Sequence, residues 1–303
     1  MQNQSSQLDY ESTTEPETFL LSTSKQHSPL VNEIQTNQII FTAVKLEDWQ
    51  SVMLLSPKGL VDKDENLTIC WEYLLTRLLL TNDDGFGSNG LSALLKATED
   101  LGEPVIVAPD QPLSGCSHRV TTHRSIQIKR RGHSHYSISG TPADCVRIGL
   151  HELVPDATFV LSGINEGGNL GADIHYSGTV AAVREGVLHG HPGIAISQYR
   201  RKDISIDWPR TVRWVSPLLK RLMEKSWTSG TFWNVNLPHL NCNEPDPIVV
   251  LCPLDSSPLP LDFDKKGSTL HYQGNYHRRR YAEETDVAVC FRGEIAVTQI
   301  SIA

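Results

Sequence analysis

Arg77-Leu78-Leu79-Leu80-Thr81-Asn82-Asp83-Asp84-Gly85 is an apolar run that breaks off in two adjacent carboxylates. It lacks polar–apolar alternation, the pattern of a strand buried on both faces. Similar runs follow at Val105-Ile106-Val107-Ala108, Phe159-Val160-Leu161-Ser162 and Ile194-Ala195-Ile196-Ser197. Between them the apolar spacing turns helical: Leu91, Leu94, Leu95 and Thr98, then Val146 to Leu150, then Val180 to Leu188. Strand and helix in alternation predict an α/β fold with a mainly parallel sheet wrapped by helices. Right-handed crossovers then bring every loop that follows a strand to one edge of the sheet.

The unusual residues fall on that edge. The first strand ends in Asp83-Asp84, the second in Pro109-Asp110 leading to Ser114-Gly115, and the Phe159 strand in Ser162-Gly163-Ile164-Asn165. Two like charges at a buried strand end repel, and one is normally forced to hold its proton. A hard dication removes that cost, and Mg²⁺ or Mn²⁺ prefers carboxylate, amide and hydroxyl oxygens. Asp83, Asp84, Ser114 and Asn165 supply such a set, although an Asp-Asp pair alone is also the sequence of a solvated turn.

A competing motif overlaps the pair. Gly85-Phe86-Gly87-Ser88-Asn89-Gly90 is formally G-x-G-x-x-G after a strand, with Asp110 twenty residues beyond, which imitates a dinucleotide-binding fingerprint and an oxidoreductase. In that fingerprint glycine follows the strand directly, whereas here two anions stand where a pyrophosphate would approach. Two further stretches suit an anion. Thr141-Pro142-Ala143-Asp144 has the residues of a helix start, and Tyr176-Ser177-Gly178-Thr179-Val180 opens another helix whose first N–H groups are free. Ordinary capping explains either equally well. Asn165-Glu166-Gly167-Gly168-Asn169 is glycine-rich enough to pass close to a ligand. His118 and His123 are candidate donors or plain structural residues.

The bulk composition sets the boundaries. The chain has 303 residues, 39% hydrophobic, enough for one large domain with an appendage. Its formal charge of −8 lies almost wholly in residues 1–76. The remainder is near neutral, which argues against a nucleic-acid polymer as main partner. Six cysteines form no C-x-x-C pair and read as small buried apolar groups in a reducing compartment. With no secretory signal and no apolar run of membrane length, a cytoplasmic location without a membrane partner is expected. Residues 1–35 have the composition of disorder, and residues 36–76 show no clear period. The expected division is therefore a disordered extension over 1–76, which an over-extended start would also produce, and a catalytic domain over 77–303. That domain has its core at about 77–200 and a more extended part at about 230–303. In the second half, Trp214 to Met223 reads as a helix starting or interrupted near Pro217. Phe232–Leu237, Ile248–Leu251, Leu270–Tyr276 and Glu294–Ile302 read as strands.

Five blocks, in order, resemble the SurE (survival protein E) nucleotidases: Leu79 to Gly85; Val107 to Asp110 with Ser114 to His118; Ser139 to Val146; Ser162 to Gly171; and Tyr176 to Ala182 with Arg184-Glu185-Gly186. The resemblance implies a Rossmann-like three-layer core with an extended C-terminal dimerisation part, in a homodimer or homotetramer. It implies a hydrolase, a 5′-nucleotidase acting on nucleoside 5′-monophosphates, with 3′-monophosphates and short polyphosphate as further substrates. It also implies one divalent metal ion per subunit, Mg²⁺ or Mn²⁺, on Asp83, Asp84, Ser114 and Asn165, with phosphate-side donors at Asn169, Ser177, Gly178 and Thr179. Catalysis would fall to Asp83 and Asp84, through an in-line water or an aspartyl-phosphate. A nucleotide-binding module without turnover is the alternative.

Overall fold

Leu78 and Leu80 point to one side of the central strand and Leu79 to the other, and each side is covered by helices. The computed structural model describes residues 32–36, 39–43, 76–201 and 204–302. Within the N-terminal extension it therefore describes only a small antiparallel hairpin, β1 (Asn32–Thr36) with β2 (Ile39–Ala43). The disorder expected of the rest of that extension, and Cys70, lie outside the described residues.

The central strand is β3 (Arg77–Thr81). The chain leaves it through α1 (Asn89–Ala97) and returns beside it, in parallel, as β4 (Glu103–Pro109). The helix starts where Ser88 Oγ accepts from the Leu91 N–H, satisfying one otherwise orphaned donor. Leu91, Leu94 and Ala97 form its buried face. Beyond β4 the sheet ends in β6 (His135–Ile138), parallel to β4, and the short antiparallel β5 (Ile128–Arg130). Exposed Lys129 and Arg130 on that edge discourage edge-to-edge pairing. The chain then forms α2 (Pro142–Ile148), continued by a π-helical turn at Gly149–Leu153, and crosses to the far side of β3 as β7 (Phe159–Glu166). Growth continues through α3 (Gly178–Leu188), β8 (Gly193–Gln198), α4 (Trp208–Met223) and β9 (Thr231–Leu237).

The sheet does not stop near residue 200. Two later strands, β10 (Val249–Leu251) and β13 (Ile295–Ser301), extend it, giving the order β10-β13-β9-β8-β7-β3-β4-β6-β5. Within this sheet only the β9–β13 and β5–β6 pairs are antiparallel. The part that stands apart is an exposed hairpin, β11 (Phe263–Lys266) with β12 (Thr269–Tyr272). A short helix, α5 (Asp286–Phe291), precedes β13.

The two faces separate cleanly. Leu78, Leu80, Ile106 and Ala108 pack under α1 and α4 with Leu94, Val215 and Leu219, whereas Leu79, Val105, Val107 and Val160 pack under α2 and α3 with Val146 and Ala182. Burying each leucine fully contributes about 1.5–3 kcal/mol. Helix α4 begins six residues before the expected Trp214 and runs through Pro217. Asp207 caps it by accepting from the Arg210 N–H at 3.0 Å, and Pro209 sits in the first turn, where no N–H is needed. Buried Val215, Leu218, Leu219 and Leu222 hold the helix across the interior proline. Cys145 and Cys290 are buried as expected, whereas Cys242 is exposed.

The cap of α2 is reciprocal. Thr141 Oγ1 accepts from the Asp144 N–H, and Asp144 accepts from the Thr141 N–H and from both the N–H and hydroxyl of Thr121. Burial alone would raise the Asp144 carboxyl, but the hydrogen bonds from Thr121 and Thr141 bring it below its ordinary value. Asp144→Ala should therefore cost about 2–3 kcal/mol near neutral pH, because several buried donors lose their acceptor. A depressed folded-state pKa stabilises above the unfolded pKa, and that stability is lost as pH falls through the folded value. Urea unfolding between pH 7 and 3 should accordingly show the gap between wild type and variant closing on the acid side.

Candidate active site

The strand order reverses at β3. Its first neighbour in sequence, β4, lies on one side, and β7 lies on the other. Loops at the carboxyl ends of such a pair diverge and leave a crevice. Asp83 and Asp84 lie at the end of β3, and Asn165 and Glu166 at the end of β7. The Asp84 carboxylate accepts the Glu166 backbone N–H at 3.1 Å, so the two strand ends are tied together.

Asp83 is 4% exposed and Asp84 is half-buried. Burial, with the charge of Asp84 adding to it, pushes the Asp83 carboxyl up to about 6, and hydrogen bonds from Thr179 act against that rise. The Thr179 hydroxyl donates to Asp83 at 2.5 Å. Burial and the neighbouring Glu166 charge likewise raise Asp84. Helix α3 can come this close because Gly178 has no side chain: a Cβ there would lie 2.8 Å from the Asp83 Cβ and 2.9 Å from Cys116 Sγ. Ser177 caps α3, accepting from the Val180 N–H at 3.1 Å. The expected phosphate-side residues Ser177, Gly178 and Thr179 thus form the first turn of α3 against Asp83.

Ser114 is exposed, on a loop pinned at both ends. The Leu113 N–H donates to the Asp83 carbonyl, and Ser117 donates through its N–H to the Tyr176 carbonyl and through its hydroxyl to the His175 carbonyl. Asn165 donates its amide N–H to the Gly167 carbonyl at 2.7 Å, which leaves its side-chain oxygen as the free end. Among the described residues no three His, Cys, Asp or Glu side chains form a metal-holding group. A cation here would need hydroxyl and amide oxygens beside the two carboxylates, and Ser114 and Asn165 are the residues of that chemistry.

Asn169 is held differently from the others. Its side chain donates to Ser197, its N–H to Asn236, and its carbonyl accepts from Asn234 and Asn236. Sequence reading missed these partners, although two asparagines at alternate positions of the apolar strand Phe232-Trp233-Asn234-Val235-Asn236-Leu237 were the available signal. The same loop is backed by Arg279, which donates to Asp173 and to the Leu170 carbonyl, and by Asp286, which accepts the Gly171 N–H.

Glu185 was also missed as a structural centre. It is 7% exposed on α3 and lies 2.7 Å from His118 Nε2, 3.0 Å from His189 Nε2 and 3.5 Å from Arg147 Nε. Burial would raise its pKa, but the two histidines hold it below its ordinary value. His118 is therefore committed to a carboxylate, and His123 is exposed in the following loop. The glycines of the G-x-G-x-x-G stretch have structural work. Gly85 turns the chain at φ +92°, and a Cβ at Gly90 would lie 1.8 Å from the Ile164 carbonyl oxygen. Left-handed turns at Gly85 and Gly87 and close helix–strand packing at Gly90 account for them without a dinucleotide.

Comparison with known proteins gives concordant matches. A family model described as "Survival protein SurE" matches residues 78–254. The Nostoc sp. protein named "Putative 5'-nucleotidase alr3139" is 45% identical over 225 residues, spanning 74% of this chain and 99% of that protein. "5'-nucleotidase SurE" of Heliobacterium modesticaldum is 36% identical over 235 residues, 74% of this chain and 85% of that protein. Among solved structures, the crystal structure of the SurE protein from Aquifex aeolicus superposes with a TM-score of 0.66 at 32% identity, covering 75% of this chain and 94% of that one.

Proposed function

The chain belongs to the SurE family and is a 5′-nucleotidase, and on that premise we propose that it is a metal-dependent phosphomonoesterase working at the Asp83–Asp84 crevice. Nucleoside 5′-monophosphates are its substrates, and 3′-monophosphates and short polyphosphate are proposed as secondary ones. The observation that carries the reading is the pair of carboxylates at the β3/β7 switch point, with the first turn of α3 packed against one of them. The two alternatives, a non-catalytic nucleotide-binding module and a dinucleotide-dependent oxidoreductase, give way to this activity.

Asp83, Asp84, Ser114 and Asn165 would hold one Mg²⁺ or Mn²⁺ per subunit. When bound, the ion supplies Lewis-acid polarisation of the phosphoryl group and offsets the repulsion between the carboxylates. The remaining work belongs to the chain. Thr179 fixes the Asp83 carboxylate, and the Glu166 N–H fixes Asp84. The Ser177 hydroxyl and the first N–H groups of α3, at Gly178 and Thr179, favour phosphate through the positive end of the helix. Asn169, clamped by β8 and β9, lines the same side. Asp84, the more exposed carboxylate, orients a water and accepts its proton. The water oxygen bonds to phosphorus in line, the bond to the nucleoside oxygen breaks, and that oxygen takes up a proton as the nucleoside leaves.

Phosphate release from AMP and GMP, measured with EDTA and after adding back Mn²⁺ or Mg²⁺, tests this directly. Turnover should vanish with chelator and return with metal. Undiminished release in EDTA would remove the metal from the proposal. The exposed β11–β12 hairpin, with Phe263, Leu270 and Tyr272 on its surface, supports self-association as a homodimer or homotetramer. Among the described residues no helix is long and apolar enough to cross a membrane.

A further inference from the structure

A cavity of about 200 Å³ opens beside the carboxylate pair, lined by Asp110, Leu113, Arg119, Arg124 and Ser139 among others. It adjoins the crevice directly, because Leu113 donates its N–H to the Asp83 carbonyl. Asp110 follows β4 and Ser139 follows β6, one and two strands away from β3. Neighbouring strands lie about 4.8 Å apart, so these walls stand roughly 5 and 10 Å to the side of Asp83. That is the scale on which a nucleotide extends from its phosphate through ribose to base.

The charged groups of the cavity are uncommitted. Among the described residues no hydrogen bond or ion pair engages the side chains of Asp110, Arg119 or Arg124. Arg77, Arg210 and Arg279 each pair with an aspartate elsewhere in the fold. Both signs of charge face one small space. A second phosphate would be drawn by the arginines and repelled by Asp110, so the set does not match a polyanion. It matches guanine, which presents acceptors at O6 and N7 and donors at N1 and N2. Arginine pairs with the first edge, and a carboxylate, acceptor-only when ionised, with the second. Leu113 offers apolar surface to a ring, and a planar guanidinium stacks on one.

We propose that this cavity is the nucleobase subsite and selects 6-oxopurines, guanine above all, with Asp110 reading the N1–H and N2 donors and Arg119 and Arg124 reading O6 and N7. The assignment rests on the nucleotidase reading above and adds to it the class of base. Adenine lacks both O6 and the N1 proton, and a site built for those groups rejects a substrate without them because its own polar groups are left unpaired.

The test is a set of kcat/KM ratios with the metal-loaded full chain. Wild type should favour GMP over AMP by about tenfold or more. Arg124→Ala should lower the ratio of GMP to ribose 5-phosphate by about tenfold. Asp110→Asn exchanges an acceptor for an amide N–H, which complements the 2-oxo group of xanthine. Its ratio of xanthosine 5′-monophosphate to GMP should rise by about tenfold or more over wild type, a gain that mere loosening of the fold cannot produce. Equal turnover of GMP and AMP by wild type, or ratios unmoved in both variants while ribose 5-phosphate is still hydrolysed, would overturn the subsite and leave the nucleotidase reading standing. Absence of metal-restored phosphate release from any substrate would overturn both.

Discussion

Asp84→Asn should abolish nucleotidase turnover while leaving the fold intact. The loss in kcat/KM should be about a thousandfold or more, as expected when a group that both carries charge and moves a proton is neutralised. Asparagine keeps the size of the side chain and an oxygen to accept the Glu166 N–H, so the tie between β3 and β7 survives. Metal-free stability should hold or rise slightly, because the Asp84 charge is one of the causes that raise the buried Asp83 carboxyl. Activity and urea unfolding should therefore move in different directions in the same protein. Full turnover by the variant would move both the metal and the water to other residues.

Gly90→Ala should be among the most damaging single-methyl additions at the described glycines. The added carbon would meet the Ile164 carbonyl oxygen at 1.8 Å, and that oxygen belongs to backbone, which cannot rotate away. Either α1 lifts from the sheet or the end of β7 shifts. Overpacking of this kind costs about 1–3 kcal/mol or more, equivalent to a fall in Tm of roughly 2–12 °C for a domain this size. The second consequence is catalytic. Asn165 follows Ile164 directly, and the Glu166 N–H that fixes Asp84 comes next, so any shift of β7 disturbs the crevice. Calorimetry together with turnover at 25 °C, well below the transition, separates the two effects. An unchanged Tm would mean that α1 and β7 yield more easily than their packing indicates.

Much of the site could be read before the fold was seen because it is local chemistry at strand ends. Buried apolar runs mark strands, and the residue that interrupts each run marks the crevice. That rule marks Asp83 and Asp84 as candidates, whereas Ser114 and Asn165 stand out as oxygen donors at or beyond the ends of the neighbouring strands. The first turn of α3 was legible too, since Ser177-Gly178-Thr179 has the composition of a cap and a close approach. What could not be read is pairing at long sequence separation. Nothing near His118 indicates that Glu185, three strands and a helix further along the chain, will occupy it. Nothing near Asn169 announces Asn234, Asn236 and Ser197. The early start of α4 was hidden for another reason: Pro209 and Pro217 look like breaks, yet one sits where a missing donor costs nothing and the other is overridden by the packed face opposite. The glycine motif misled because glycines that admit a pyrophosphate and glycines that admit a carbonyl leave the same letters.

The position of β13 has a consequence for how the molecule is made. It is the last strand in sequence, yet it lies between β9 and β10 rather than at an edge. A nascent chain that has emerged through Leu237 carries every residue assigned to the crevice, but the outer side of β9 has no partner. Its N–H and C=O groups stay open to other strands until some sixty more residues arrive. During synthesis, therefore, the aggregation-sensitive interval ends late, and it ends at the same moment that Asn234 and Asn236 are locked in place behind Asn169. Pairing of β13 and rigidity of the wall behind Asn169 are one event, so a polypeptide released before that strand exposes a sticky edge and a slack crevice together.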